Sequence, residues 1–178
     1  MIETMLNRRS VRRFSDRPVE EEKLQLLLRA AMQAPSAKNA QPWEFLVVKD
    51  KEVLEALAKA QPYALAIKNA PLGIVTLCNK ARYTDDLDVF WQEDLSAVTQ
   101  TILLAAAELG LGTTWLALAP LEERIEYVQK LFSLPEAVIP FALLPVGYPM
   151  QQRDAVSRFD SSRVHGVRGF EVEGAFQR

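Results

Sequence analysis

Residues 94–109, Asp-Leu-Ser-Ala-Val-Thr-Gln-Thr-Ile-Leu-Leu-Ala-Ala-Ala-Glu-Leu, constrain this chain more than any other stretch. The spacing is helical, yet apolar residues run around much of the circumference, so protein must enclose the helix on nearly every side. Gly110 follows as a left-handed cap. The pattern predicts a central helix more apolar than one subunit needs to cover its own surface. It is not a bilayer span. Residues 102–121 form the most apolar stretch, and Glu108, Gly110, Gly112 and the Thr113-Thr114 pair break it short of the roughly 20 apolar residues required.

The other elements are laid out around that helix. Leu24, Leu27, Leu28, Ala31 and Ala34 recur at helical spacing behind Glu20, Glu21 and Glu22, which suit a helix N-terminus, and the helix should stop at Pro35. Residues 45–48 read as a strand, followed by a helix with Val53, Leu54, Leu57 and Ala58 on one face. Residues 72–78 read as a buried strand and the polar residues 79–88 as a loop. Residues 113–119 can form a strand, 121–132 a helix, and 141–146 a strand before Gly147-Tyr148-Pro149. The glycines fall at turns and near the C-terminus, with no linker or repeat, and 178 residues at 49% hydrophobic content are enough for one core. A single domain over 1–178 is expected. Its residues 150–178 form a less periodic extended tail, and a stretch of that length is rarely left idle, so it should wrap a partner subunit.

Charge and rare residues exclude several functions. Lys plus Arg number 21 against 23 Asp plus Glu, which gives a net charge of -2 and no overall attraction for nucleic acid. A single cysteine, Cys78, and a single histidine, His165, leave neither a disulfide framework nor a metal-ligand cluster, so no metal site is expected. The first residues lack the basic start and apolar core of an export signal. A soluble cytoplasmic protein is expected, with no membrane partner.

Two clusters could carry chemistry. Arg8-Arg9-Ser10-Val11-Arg12-Arg13 places four guanidinium groups and a hydroxyl within six residues, a density that a phosphate would satisfy through paired, charge-assisted hydrogen bonds. A solvated basic face, or a set of surface ion pairs with Glu20 to Glu22, is the plainer account of this segment taken alone. The second cluster is Ala34-Pro35-Ser36-Ala37-Lys38-Asn39-Ala40-Gln41-Pro42-Trp43. Its small residues, amides and hydroxyl suit a planar heteroaromatic ligand, and they equally suit a capped turn with Trp43 in the core. No Gly-x-Gly-x-x-Gly, P-loop or Gly-x-Ser-x-Gly is present, so Rossmann, NTPase and serine-hydrolase chemistry lack support.

These two segments and three others, taken in order, resemble the nitroreductase family of FMN-dependent oxidoreductases. The others are Gln92-Glu93-Asp94-Leu95-Ser96-Ala97 leading to Leu109-Gly110-Leu111-Gly112-Thr113-Thr114-Trp115, then Pro145-Val146-Gly147-Tyr148-Pro149, and Arg158-Phe159-Asp160-Ser161-Ser162-Arg163-Val164-His165. The resemblance implies an α+β fold with a small mixed sheet flanked by helices, in an intertwined homodimer carrying two FMN sites at the subunit interface. It implies that Arg8, Ser10 and Arg12, with Arg9 beside them and Arg158 from the tail, hold the phosphate or ribityl end of FMN. Pro35, Ser36, Asn39 and Gln41 would reach the flavin from the other subunit. Gly147, after Pro145, would offer backbone N–H near the flavin N5, and no side chain would act as a catalytic residue. After Val164-His165 the family's usual aromatic residues are replaced by Gly166-Val167-Arg168-Gly169, and the loop over residues 80–90 is small.

The activity implied is hydride transfer from NADH or NADPH through flavin N5 to an electron-poor acceptor such as a nitroaromatic or quinone, in a ping-pong sequence. The cofactor supplies the difficult chemistry, which fits the lack of an acid/base pair. Dehalogenation or flavin breakdown on the same fold, or a non-redox module that grips phosphate or nucleic acid, are the alternatives.

Overall fold

The computed structural model describes residues 1–151, 154–168 and 171–173. The elements are α1 (Ile2–Asn7), α2 (Glu21–Ala31), β1 (Trp43–Val48), α3 (Lys51–Leu57), α4 (Leu65–Lys68), β2 (Leu72–Asn79), α5 (Trp91–Glu108), β3 (Gly112–Thr113), β4 (Leu116–Ala117), α6 (Glu122–Phe132), β5 (Val138–Gly147), β6 (Gly166–Arg168) and β7 (Glu171–Glu173).

The sheet runs β1-β2-β5-β3, with β4 also on β5, and every named pair is antiparallel. The parallel component enters through an isolated bridge between Ser10 and Thr113. Both faces are covered, which is why β2 and β5 read as nearly continuous apolar runs. On one face Ile74, Ala142, Leu144 and Val146 pack with Leu24 and Leu27 of α2 and Leu95, Val98 and Ile102 of α5. On the other, Val75, Leu77 and Leu143 pack with Leu54 of α3, Ile67 of α4 and Val128 of α6.

The local chemistry explains most boundaries. Asp50 Oδ1 accepts from the backbone N–H of Glu52 at 2.9 Å and Val53 at 3.1 Å, starting α3. At the far end of α5, Leu111 N–H bonds Ala106 O and Gly110 N–H bonds Ala107 O, with Gly110 at φ +73°, a Schellman ending that only glycine adopts without strain. The expected strand over 113–119 is instead two short pieces, β3 and β4, in one continuous register. The gap falls opposite Leu144 and Pro145, and proline has no N–H to give to a ladder. The loop expected over 79–88 is wound into short 3-10 turns at Lys80–Arg82 and Asp85–Phe90.

Three glycines do not fall at turns as expected. Gly73, Gly112 and Gly147 lie in strands, and each marks a close approach. A Cβ on Gly112 would sit 2.7 Å from Val11 Cβ, so Gly112 lets the arginine-bearing segment lie against the sheet. The less periodic tail contains an antiparallel hairpin, β6 with β7, while Gly169 and Gly174 lie outside the described residues. Among the described residues, no helix is long and apolar enough to cross a membrane.

Candidate functional site

The arginine segment is held in place by backbone bonds at both ends. Val11 N–H donates to Thr113 O at 2.9 Å, Ser15 N–H to Tyr148 O at 2.9 Å, and Met150 N–H to Arg13 O at 3.1 Å. Residues 10–15 therefore run between β3 and the turn that leaves β5. Arg8, Arg9, Arg12 and Arg13 line one cavity of about 1070 Å³, together with Glu108 and Gly110 at the end of α5. Arg8 and Arg9 also line a second cavity of about 470 Å³, whose far wall includes Arg158 and Phe159 from the tail. The N-terminal arginine segment and the stretch around Arg158 thus converge on Arg8.

That convergence is electrostatically costly. Burial, then Arg158, then Arg9 push the Arg8 guanidinium below its ordinary range. Among the described residues, none of Arg8, Arg9, Arg12 and Arg13 has a carboxylate partner. Of the acidic residues that could have neutralised them, Glu20 bonds Arg17 and Tyr148 and Glu21 pairs with Lys49, while exposed Glu22, among the described residues, pairs with none of the four. Ion pairs between these arginines and residues 20–22 are therefore not formed among the described residues, while Arg12 and Arg13 are solvent-exposed. Thr113, bridged to Ser10, is 4% exposed, and among the described residues its Oγ1 has no hydrogen-bond partner.

The second cluster lies elsewhere. Pro35, Ser36, Asn39 and Gln41 sit between α2 and β1, where Ala37 N–H donates to Asp94 Oδ1 at 2.9 Å in the first turn of α5. Lys38, Asn39 and Gln41 have φ of +43°, +59° and +47°, a left-handed run without glycine that costs about 1–3 kcal/mol per residue and is typical of functional loops. Gln41 N–H donates to Ser36 Oγ at 2.9 Å, and Gln41 Nε2 donates to Asn39 Oδ1 at 3.1 Å. These bonds leave the Ser36 hydroxyl hydrogen and Asn39 Nδ2 as donors and Gln41 Oε1 as an acceptor. Trp43 is buried in β1, so the capped-turn reading is right about the tryptophan, while the polar residues ahead of it stay partly or fully exposed.

The two clusters occupy opposite ends of α5. Ala37 is tied to Asp94, and Thr4, ahead of the arginines, is tied to Glu108. At roughly 1.5 Å per residue the helix between those anchors rises about 21 Å. One chain therefore brings Arg8, Arg9, Ser10, Arg12 and Arg158 to one end, and Pro35, Ser36, Asn39 and Gln41 to the other. Pro145 lies inside β5 and Gly147 at its end, facing Gly112. A Cβ on Gly147 would meet Pro71 Cδ at 2.7 Å and Phe14 Cδ1 at 3.1 Å, so the requirement for glycine there comes from internal packing.

Sequence reasoning missed the network behind this end of the sheet. Lys23 Nζ donates to Leu109 O and to Tyr148 Oη, both at 2.9 Å, and Tyr148 Oη donates to Glu20 Oε2 at 2.6 Å. The Arg17 guanidinium lies 4.0 Å from the centre of the same ring. The available signal was Tyr148 itself, an aromatic hydroxyl between Gly147 and Pro149.

Comparison with known proteins places these features in a family. A sequence model described as the nitroreductase family matches residues 5–65 and 59–148. A protein of Methanothermobacter thermautotrophicus, provisionally named an NADH dehydrogenase/NAD(P)H nitroreductase, is 42% identical over 93% of this chain and 85% of its own. The crystal structure of a protein of Clostridium acetobutylicum, provisionally named an NADH oxidase, superposes with a TM-score of 0.88 at 42% identity, covering 91% of this chain and 97% of that one. An FMN-dependent nitroreductase of Clostridium difficile R20291 superposes with a TM-score of 0.86 at 34% identity, covering 94% and 99% of the two chains. A family match that spans most of the chain, and relatives this similar over nearly all of it, leave one conclusion: the chain belongs to the nitroreductase family.

Proposed function

We propose that the protein is an NAD(P)H-dependent FMN oxidoreductase that works as a homodimer of single-domain subunits. The observation that carries this reading is the placement of two complementary half-sites at opposite ends of α5. One end gathers guanidinium groups that, among the described residues, lack a carboxylate partner. The other presents two donors and an acceptor on a strained loop. A mononucleotide with an anionic tail and a planar head bearing carbonyls and an N–H matches that pair, provided each half comes from a different copy. The exposed Ile2, Leu6 and Phe159, at 71%, 69% and 81%, are apolar surface suited to burial against such a copy.

In this reading Arg8, Arg9, Ser10, Arg12 and Arg158 bind the phosphate end, with the orphaned Thr113 hydroxyl beside Ser10. Pro35, Ser36, Asn39 and Gln41 of the other copy orient the ring edge, and Pro145 and Gly147 complete the set from β5. Bound FMN would supply the two-electron chemistry that links NADH or NADPH as hydride donor to an electron-poor acceptor such as a nitroaromatic or quinone, the two being used in turn in a ping-pong sequence. The chain supplies positive charge, directed donors and an anchored loop, and no side chain is needed as acid or base.

The test is purification followed by reconstitution with FMN, anaerobic titration with NADH and NADPH, and a panel of quinones and nitro compounds. A yellow dimer bleached by nicotinamide and reoxidised by an acceptor is expected. A colourless protein that cannot be loaded with FMN, or a stable flavin-loaded monomer in sedimentation, would overturn the reading.

A further inference from the structure

Asp94 is a buried carboxylate, 5% exposed, with no part in the binding sets above. Its two oxygens serve different segments. Oδ1 accepts from Ala37 N–H at 2.9 Å, and Oδ2 accepts from the Tyr83 hydroxyl at 2.7 Å. Ala37 begins the left-handed loop, and Tyr83 follows the turn at Lys80–Arg82, at the end of β2.

The loop's exit is held one residue on, where Pro42 O accepts from Asn79 N–H at 2.7 Å, and Asp94 holds its start. Its other hydrogen bonds are internal: Asn39 N–H to Ser36 O, Ala40 N–H to Ala37 O, Gln41 N–H to Ser36 Oγ, and Gln41 Nε2 to Asn39 Oδ1. Among the described residues, the bond to Asp94 is the only hydrogen bond that leaves 36–41. Three non-glycine residues at positive φ persist only where the surroundings over-determine them. A charge-assisted bond from a buried carboxylate is the stronger kind, and the Tyr83 hydroxyl fixes that carboxylate's orientation.

We propose that Asp94 is the positioning residue for the loop that presents Ser36, Asn39 and Gln41, and that through Tyr83 it couples this loop to the turn at the end of β2. The ligand named for the loop rests on the flavin reading, whereas the anchoring does not.

The experiment measures hydrogen–deuterium exchange and FMN affinity on the full-length apoprotein for Asp94→Ala, Asp94→Asn and Tyr83→Phe. Asp94→Ala should speed exchange across 36–41 at least about tenfold, with β2 and β5 unchanged, and weaken FMN binding by a similar factor. Asp94→Asn keeps an oxygen for Ala37 N–H and should restore both to within about threefold of the wild type. Tyr83→Phe should speed exchange in 36–41 as well as around residue 83. Unchanged exchange at 36–41 in Asp94→Ala, a uniform rise over the whole chain, or an asparagine variant no better than alanine would overturn the proposal. If the alanine variant does not fold, Tyr83→Phe decides, since unaltered exchange at 36–41 would overturn it. If wild-type protein binds no FMN while exchange responds as described, the cofactor reading falls and the anchoring stands.

Discussion

The Tyr148 hydroxyl donates to Glu20 Oε2 at 2.6 Å, so one phenol pins the turn after β5 to the start of α2. That bond, then Glu20's own backbone and then Arg17, bring the Glu20 carboxyl down to about 2 from an ordinary 4.5. A depressed carboxylate stabilises the folded state above its unfolded value, and the contribution is lost as pH falls through the folded one. Tyr148→Phe keeps the ring under Arg17 and removes the bond. The urea midpoint of the wild type should exceed that of the variant at pH 6, and the gap should narrow between about pH 4.5 and 2. A gap of constant width across that interval would refute the linkage.

Removing one guanidinium from an anion pocket loses a charge-assisted bond. Arg8→Ala and the charge reversal Arg12→Glu should each weaken FMN retention at least tenfold, about 1.4 kcal/mol, in a fluorescence titration. The loss should grow as salt is lowered, because the attraction removed is screened least there. Unaltered affinity in both variants would remove the arginines from the site.

Glycine at 112 and 147 is enforced by neighbouring side chains. Alanine at either would bring a Cβ to 2.7 Å from Val11 or Pro71, and the strain should cost about 1–3 kcal/mol in guanidinium unfolding. Gly110→Ala meets nothing within 4 Å among the described residues but sits at φ +73°, so its cost should be about 1 kcal/mol and conformational. Gly73→Ala should be milder than either packing variant, since the atoms it meets are the flexible ends of Ile67 and Leu54.

Cys78 is fully buried in β2, and burial pushes its thiol up to about 12 from 9, with Lys80 opposing. A raised thiol stabilises the fold below the unfolded value and loses that contribution as pH rises through the folded one, so the window is about pH 9 to 12. At pH 8 a thiol reagent should label the native protein only as fast as it unfolds. Rapid labelling without loss of structure would place the sulfur at the surface.

How much could be read from the residues differed by element. β2 and β5 were legible because burial on both faces leaves an unmistakable apolar run, and the central helix because its helical apolar spacing is long. Within one chain, however, that helix buries only the apolar stripe through Leu95, Val98, Ile102, Leu103 and Ala106, and it runs from Trp91 to Glu108 instead of from Asp94 to Leu109. The six-residue α1 and the four-residue α4 were not, since segments so short carry no period. The split between β3 and β4 depends on a proline in another strand. At the site, the arginine cluster and the 35–41 loop were both legible as residue types. Their separation along α5 was not, because it comes from tertiary packing. The left-handed backbone at Lys38 and Gln41 could not be read either, since neither residue favours it.

In the proposed twofold assembly, the separation of the half-sites would make α5 a ruler. Each added residue advances a helix by about 1.5 Å and turns it by about 100°, so one insertion between Asp94 and Glu108 would swing the loop out of phase with the arginines. In a twofold assembly the same insertion occurs in both copies. Both pockets would fail together, and no length variant of this helix could keep one working and lose the other.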